Sequence, residues 1–134
     1  MLISLFKKTM SRTTTKEENL TTVLITGASS GIGKVTALRL AKKRYFVIGT
    51  GRSRTRLQKL SRDAEKIGLN IETIQIDFNS IESIDNAFKS SLLTKSRVDV
   101  LINNAGFGMW GPLETLSHEE MQVQFQTNLF GLMA

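Results

Sequence analysis

The chain has 134 residues, of which 40% are hydrophobic, with no cysteine and a formal net charge of +6. That length suits one small domain, and the apolar content allows a packed core and excludes global disorder. The lack of cysteine excludes disulfides and thiolate metal sites and fits a reducing, cytoplasmic setting; no apolar run reaches membrane-spanning length.

"MLISLF" at the start is too short for a signal-peptide core, and Lys7 and Lys8 follow it instead of preceding it. Residues 1–15 hold three basic and no acidic residues among many Ser and Thr, a faint likeness to a transit peptide. The preferred expectation is a disordered leader over residues 1–20, with Met10 as an alternative start. Thr22 to Thr26, "TVLIT", is a β-branched apolar run, the pattern of a strand buried on both faces. Ile32, Val35, Leu38 and Ala41 recur at helical spacing. "FVIGT", residues 46–50, predicts a second strand, and Leu57, Leu60, Ala64 and Ile67 a second helix. "IETIQI", residues 71–76, predicts a third strand. Asn79 with Glu82 can form a capping box before a stripe of Ile81, Ile84, Phe88 and Leu92. "VDVLIN", residues 98–103, predicts a fourth strand, and Gly106, Gly108, Gly111 and Pro112 a loop. Ser117 with Glu120 is a second capping box, ahead of Met121, Phe125, Leu129 and Leu132. The order βαβαβαβα with short connections means an α/β fold: a doubly wound parallel sheet with helices on both faces.

The final "TNLFGLMA" carries no helix stop signal. The expectation is that this sheet continues past Ala134 and is truncated here after its fourth strand and the helix that follows.

"TGASSGIG", Thr26 to Gly33, joins the first strand to the first helix. Gly27 allows a sharp turn, and a side chain at Gly31 or Gly33 would keep a phosphate from the backbone N–H groups. A Walker A loop fails, because Ala28 and Val35 stand where Gly and Ser/Thr are needed. The G-x-G-x-x-G fingerprint fails, because Thr36 stands where its last glycine belongs. Residues 34–66 hold eleven basic and two acidic residues, whereas residues 67–134 hold three basic and eight acidic. Within that basic block, "VIGTGRSRT", Val47 to Thr55, has no carboxylate to take a ribose 2′-hydroxyl. It has Arg52 and Arg54, with Arg56 just beyond, which suits a 2′-phosphate and so NADP(H). Lys42, Lys43, Lys59, Arg62 and Lys66 are read as solvating two helices. Nucleic-acid binding is not expected, because no aromatic residues interleave Arg52, Arg54 and Arg56 and no DNA- or RNA-binding motif is present.

"TGASSGIG", Asp77 after the third strand, "NNAG" at Asn103 to Gly106 and "TNLFG" in the last helix together resemble the short-chain dehydrogenase/reductase family. The likeness covers residues 21–134, roughly the N-terminal half of a typical member. "GFGMWGPLETLS" looks, more weakly, like the retinol- and steroid-dehydrogenase-like branch. The resemblance implies a Rossmann-type fold and an NADP-dependent oxidoreductase acting on a small-molecule carbonyl or alcohol, as a homo-oligomer. It implies that Ser29, Ser30 and Ile32 line the cofactor phosphates beside Gly27, Gly31 and Gly33. Arg52 sits where NADP-preferring members carry arginine. Asp77, with Phe78 beside it, would meet the adenine; Asn104, Ala105 and Gly106 would line the adenosine ribose. Asn128 matches the asparagine of the catalytic tetrad.

Asn128 also falls on the apolar stripe between Phe125 and Leu132. Either its amide is buried and partnered, or it faces water at the stripe's edge. Arg44 stands where members often have a helix-ending Gly, which removes an easy left-handed cap. The family's serine and its Tyr-x-x-x-Lys come after the last helix seen here. The only tyrosine is Tyr45, followed at the fourth position by Gly49. The resemblance therefore implies a chain lacking the proton-moving residues. The alternative is a non-catalytic dinucleotide-binding or regulatory module.

Overall fold

The structure, a computed structural model, describes residues 20–90 and 97–134. The expected leader, but for residue 20, and Leu92 lie outside them.

Four strands form one parallel sheet: β1 (Thr22–Ile25), β2 (Phe46–Gly51), β3 (Glu72–Gln75) and β4 (Val100–Ile102), in the spatial order β3-β2-β1-β4. Leu24 pairs with Ile48 on one side and Leu101 on the other, and Thr50 pairs with Ile74. Helix α1 (Gly31–Lys42) joins β1 to β2, α2 (Arg54–Glu65) joins β2 to β3, and α3 (Ile81–Phe88) follows β3. After β4, a loop and a 3-10 turn at Leu113–Thr115 lead to α4 (His118–Phe125). That helix runs on through a π-helical turn, Gln126–Phe130, into a last turn, Gly131–Met133.

Strand alternation divides the core in two. Val23, Ile25 and Val47 face Ala37 and Ala41 of α1 and Leu60 and Ala64 of α2. Leu24, Ile48 and Ile74 face the other way, against Phe78, Ile84 and Ala87, with Leu132 packed on them. All four residues of β1 are buried, as its apolar run predicts. With a neighbour only at β1, β4 is a sheet edge among the described residues, and Leu101 stays 53% exposed.

Several expectations are corrected. The buried face of α1 is Gly33, Ala37 and Ala41, while Ile32 and Val35 are exposed. No larger residue fits that face at Gly33, where a Cβ would run into Gly27 O and Asn104 Nδ2. Ile67 lies past the end of α2 and is exposed. Helix α3 buries Ile84 and Ala87, leaving Ile81 and Phe88 exposed. Its cap is Ser80, whose hydroxyl accepts the Ser83 N–H, and not Asn79. Asn79 is taken up one residue earlier, its N–H donating to Asp77 Oδ1 at 3.0 Å. The fourth strand is shorter than "VDVLIN"; just before it the Asp99 N–H donates to Thr22 O at 3.0 Å, while the Thr22 N–H turns to the Asp99 side chain, at 2.9 Å from Oδ2. Arg44 does not lose the left-handed cap but adopts it, at φ 67°. The Arg44 N–H reaches Ala41 O and the Tyr45 N–H reaches Leu40 O, the paired bonds of a Schellman motif. The Ser117–Glu120 capping box forms in both directions.

Candidate functional site

The C-terminal ends of the strands open into a cleft of about 660 Å³. Its wall contains every cofactor-site residue expected from the sequence: Gly27, Ser29, Ser30, Gly31, Ile32, Gly33, Arg52, Asp77, Phe78, Asn104, Ala105 and Gly106. Gly51, Ser53, Arg56, Ile76, Phe107 and Thr127 complete it. A second hollow, of about 840 Å³, runs along α4 past His118, Met121, Phe125 and Phe130 and shares none of these residues.

The glycines have three separate jobs. Gly27 turns the chain at φ 68°, and a Cβ there would come within 2.7 Å of Ala105 Cα. Gly31, at φ 53°, faces open space at the mouth of α1, so nothing stands between its backbone and a ligand. Gly33 is spent on packing, since its Cβ would run into Gly27 O and Asn104 Nδ2. The expectation that Gly33 is bare to admit a phosphate is therefore corrected: the protein itself fills that space.

Beside them, the start of α1 is prepared for an anion. Ser30 caps the helix by backbone shape alone, its side chain making no capping bond, and the first turn holds no acidic residue. Four N–H groups at a helix start lack intrahelical partners and carry the positive end of the dipole. Lys34 does not serve this site; its Nζ is bonded to Asp63 Oδ2 at 2.7 Å, tying α1 to α2. That hydrogen bond is the main reason the Asp63 carboxyl sits below the usual carboxylate range. Desolvation opposes it, and the charges of Lys34, Lys59 and Lys66 add to it.

Thr26 and Asn104 lock the two halves of the cleft together. The buried Thr26 Oγ1 accepts the N–H groups of Asn104 and Ala105, both at 2.9 Å. Asn104 Nδ2 donates to Thr26 O at 2.9 Å and to Gly27 O at 3.2 Å. The Asn104 side chain is thus a strut between loops. The sequence offered no separate signal for Thr26 beyond its place before Gly27.

At the far end, β2 closes against α2. Arg52 is exposed, and its carbonyl accepts from Gln75 Nε2 at 3.0 Å. Ser53 caps α2 by accepting the Arg56 N–H. Arg52, Ser53 and Arg56 share the cleft wall and Arg54 does not, because Arg54 begins the helix while Arg56 lies one position short of a full turn beyond the cap. Asp77 sits across the cleft with one oxygen on Asn79, and the Phe78 ring belongs to the core below.

Asn128 is exposed by position yet fully engaged. Its Oδ1 accepts the Phe107 N–H at 2.9 Å, and its Nδ2 donates to Phe107 O at 2.7 Å. It lies inside the π-helical turn, where the phase of the helix shifts, so neither alternative drawn from a regular stripe describes it. Gly131 seats the same helix on the loop after β3, with no room for a Cβ against Phe78 O. His118 is exposed, with its Nε2 3.0 Å from Gln122 Nε2. Tyr45 precedes β2, at the opposite end of that strand from the cleft.

Residues 21–134 match the family model described as short chain dehydrogenase. Human retinol dehydrogenase 8 is 45% identical over 114 residues, covering 82% of this chain and 36% of that protein. A 3-ketodihydrosphingosine reductase from Bacteroides thetaiotaomicron is 39% identical over 111 residues, covering 83% of this chain and 38% of its own length. The chain thus spans well under half of the curated relatives it matches. Among solved structures, an alcohol dehydrogenase from Thermococcus sibiricus complexed with 5-hydroxy-NADP superposes with a TM-score of 0.76. It is 34% identical, over 85% of this chain and 49% of that one.

Proposed function

The chain belongs to the short-chain dehydrogenase family, and we propose that it supplies the NADP(H)-binding part of an oxidoreductase that interconverts a carbonyl and an alcohol. One observation carries the choice of cofactor. Arg52 and Arg56 share the end of the cleft where β2 closes, beside the capped start of α2, and Val47 to Thr55 contains no carboxylate. Two guanidinium groups and a helix N-terminus suit a phosphate, whereas a ribose hydroxyl calls for an acceptor.

The rest of the cleft fits the same ligand. The start of α1, which has no side-chain capping bond, and the bare backbone of Gly31 would hold the pyrophosphate. Asp77 and the Asn104–Gly106 segment would flank the adenosine. When bound, the nicotinamide would supply or accept the hydride. Asn128 holds Phe107 in place and, as the match to the family's tetrad asparagine, would support the proton relay. Tyr45 is excluded from that relay by its place at the wrong end of β2. We infer that a serine and a Tyr-x-x-x-Lys outside these 134 residues protonate or deprotonate the substrate oxygen. The full protein would be a cytoplasmic homo-oligomer acting on a small, largely apolar substrate, in keeping with the retinol- and sphingoid-related names of its relatives. No helix of the described residues is long and apolar enough to cross a membrane.

The test is a fluorescence titration of the protein with NADPH and with NADH. Charge-assisted contacts to the 2′-phosphate are worth about 1.5–3 kcal/mol, so NADPH should bind at least about tenfold more tightly. Arg52→Asp should abolish the preference. Equal affinities in the wild type would overturn the assignment.

A further inference from the structure

Gln124 stands one helical turn before Asn128 and does the same kind of work on the next part of the loop. Its Oε1 accepts the Met109 N–H at 2.8 Å, just as Asn128 Oδ1 accepts the Phe107 N–H at 2.9 Å. Two amides on successive turns thus tie alternate residues of a segment that has no strand or helix of its own. Between the ties lies Gly108, which adds no side chain to stiffen the backbone.

Beyond the second tie comes Trp110. It is 95% exposed, yet its indole is not free: a Cβ on Gly108 would lie 3.6 Å from Nε1. Its indole edge lies near Gly108, three residues past the cleft wall at Phe107. Leu113, three residues further on, is also exposed, at 71%. A large aromatic surface left open beside a cleft is more often a contact surface than an accident of folding.

We propose that Gln124 is a positioning residue that fixes Trp110 relative to the cofactor cleft, and through it the fit of an apolar substrate group. The proposal rests on the oxidoreductase reading above. Its logic is mechanical. With Asn128 intact, Phe107 and the cofactor wall stay in place when Gln124 is lost. Only Met109 and Trp110 swing, about Gly108. Cofactor binding and substrate fit should therefore separate.

Trp110 is the sole tryptophan of these 134 residues, so with any tryptophan elsewhere in the full-length protein changed to phenylalanine its fluorescence reports this loop. The experiment compares the full-length wild type with Gln124→Met, which keeps length but removes the strong acceptor, and with Gln124→Glu, which keeps an acceptor oxygen. In Gln124→Met the indole anisotropy should fall. The NADPH dissociation constant should stay within about twofold, and KM for an apolar ketone or aldehyde should rise about tenfold with kcat changed less than threefold. Gln124→Glu should restore all of these. Unchanged anisotropy in Gln124→Met, or a Gln124→Glu variant as impaired as Gln124→Met, overturns the proposal. If Gln124→Met fails to fold, Met109→Pro removes the donor from the loop side and gives the same readouts. If no carbonyl or alcohol is turned over by any form, the oxidoreductase reading fails, and the anisotropy still decides whether Gln124 fixes Trp110.

Discussion

The same substitution should have opposite effects at two buried threonines of this sheet. Thr26 is 3% exposed and Thr50 0%. Valine is close in shape to threonine, so each change to Val tests the hydroxyl alone. Thr26 Oγ1 accepts two backbone N–H groups at 2.9 Å and lies 3.4 Å from Ile102 O. Thr26→Val strands both donors. An unpartnered buried polar group costs about 1–3 kcal/mol. The two amides belong to half-buried residues, so the low end applies to each, and the total is about 2–3 kcal/mol. Thr50 Oγ1 has no hydrogen-bond partner among the described residues. Thr50→Val removes a desolvated hydroxyl and should stabilise by about 1 kcal/mol. The two variants should therefore differ by about 3–4 kcal/mol, a large fraction of a typical domain's net stability of about 5–15 kcal/mol. Urea unfolding followed by far-UV circular dichroism measures this directly. Thr26→Ser, which keeps the oxygen and loses a methyl, should cost only about 1 kcal/mol. Because the Thr26 hydroxyl also joins the two walls of the cleft, Thr26→Val should weaken NADPH binding about tenfold and Thr50→Val should not. If Thr26→Val proves as stable as Thr50→Val, the hydrogen-bond reasoning is wrong.

Three other outcomes are expected. Arg44→Gly removes a left-handed strain of about 1–2 kcal/mol and gives back about 0.4–1 through a freer unfolded chain, so the melting temperature should rise slightly; a clear fall would contradict the strain. The Asp63 carboxyl is depressed in the folded state, so its ion pair with Lys34 stabilises fully above the ordinary carboxylate pKa, about 3.9. That contribution is lost as pH falls from there through the depressed folded value, so Asp63→Asn should flatten the acid limb of the stability curve, and identical limbs would argue against it. Residues 1–134 alone should show no sustained NADPH oxidation with aldehydes, ketones or quinones, since they contain no Tyr-x-x-x-Lys. Turnover abolished by a substitution within them would relocate the chemistry.

What the sequence made legible was local. The Ser117–Glu120 box forms as read, because both partners lie within one turn. The glycine loop and "NNAG" converge on one cleft because parallel strands carry their following loops to the same edge. What stayed hidden depended on distance or on small size. The buried face of α1 was missed because periodicity is counted in large apolar residues, and this face is built from Gly33, Ala37 and Ala41. The cap of α3 was placed one residue early because Asn79 and Ser80 are both good caps, and only the turn at Asp77 decides between them. The tie between Gln124 and Met109 spans 15 residues with no pattern to announce it.

The π-helical turn at Gln126–Phe130 has a consequence for length rather than for chemistry. A wide turn holds one residue more than an α-helix would need to cover the same rise. Each residue of an α-helix advances about 100°. Wound as an unbroken α-helix, the same residues would rotate everything downstream by about that angle. Gly131 would then turn away from Phe78 while Gln124 still faced Met109. Deleting one residue between 126 and 130 would make the helix regular and leave both docking points in place. The wide turn acts as a vernier, absorbing one residue so that two docking points on one rod stay in register with the surface they meet.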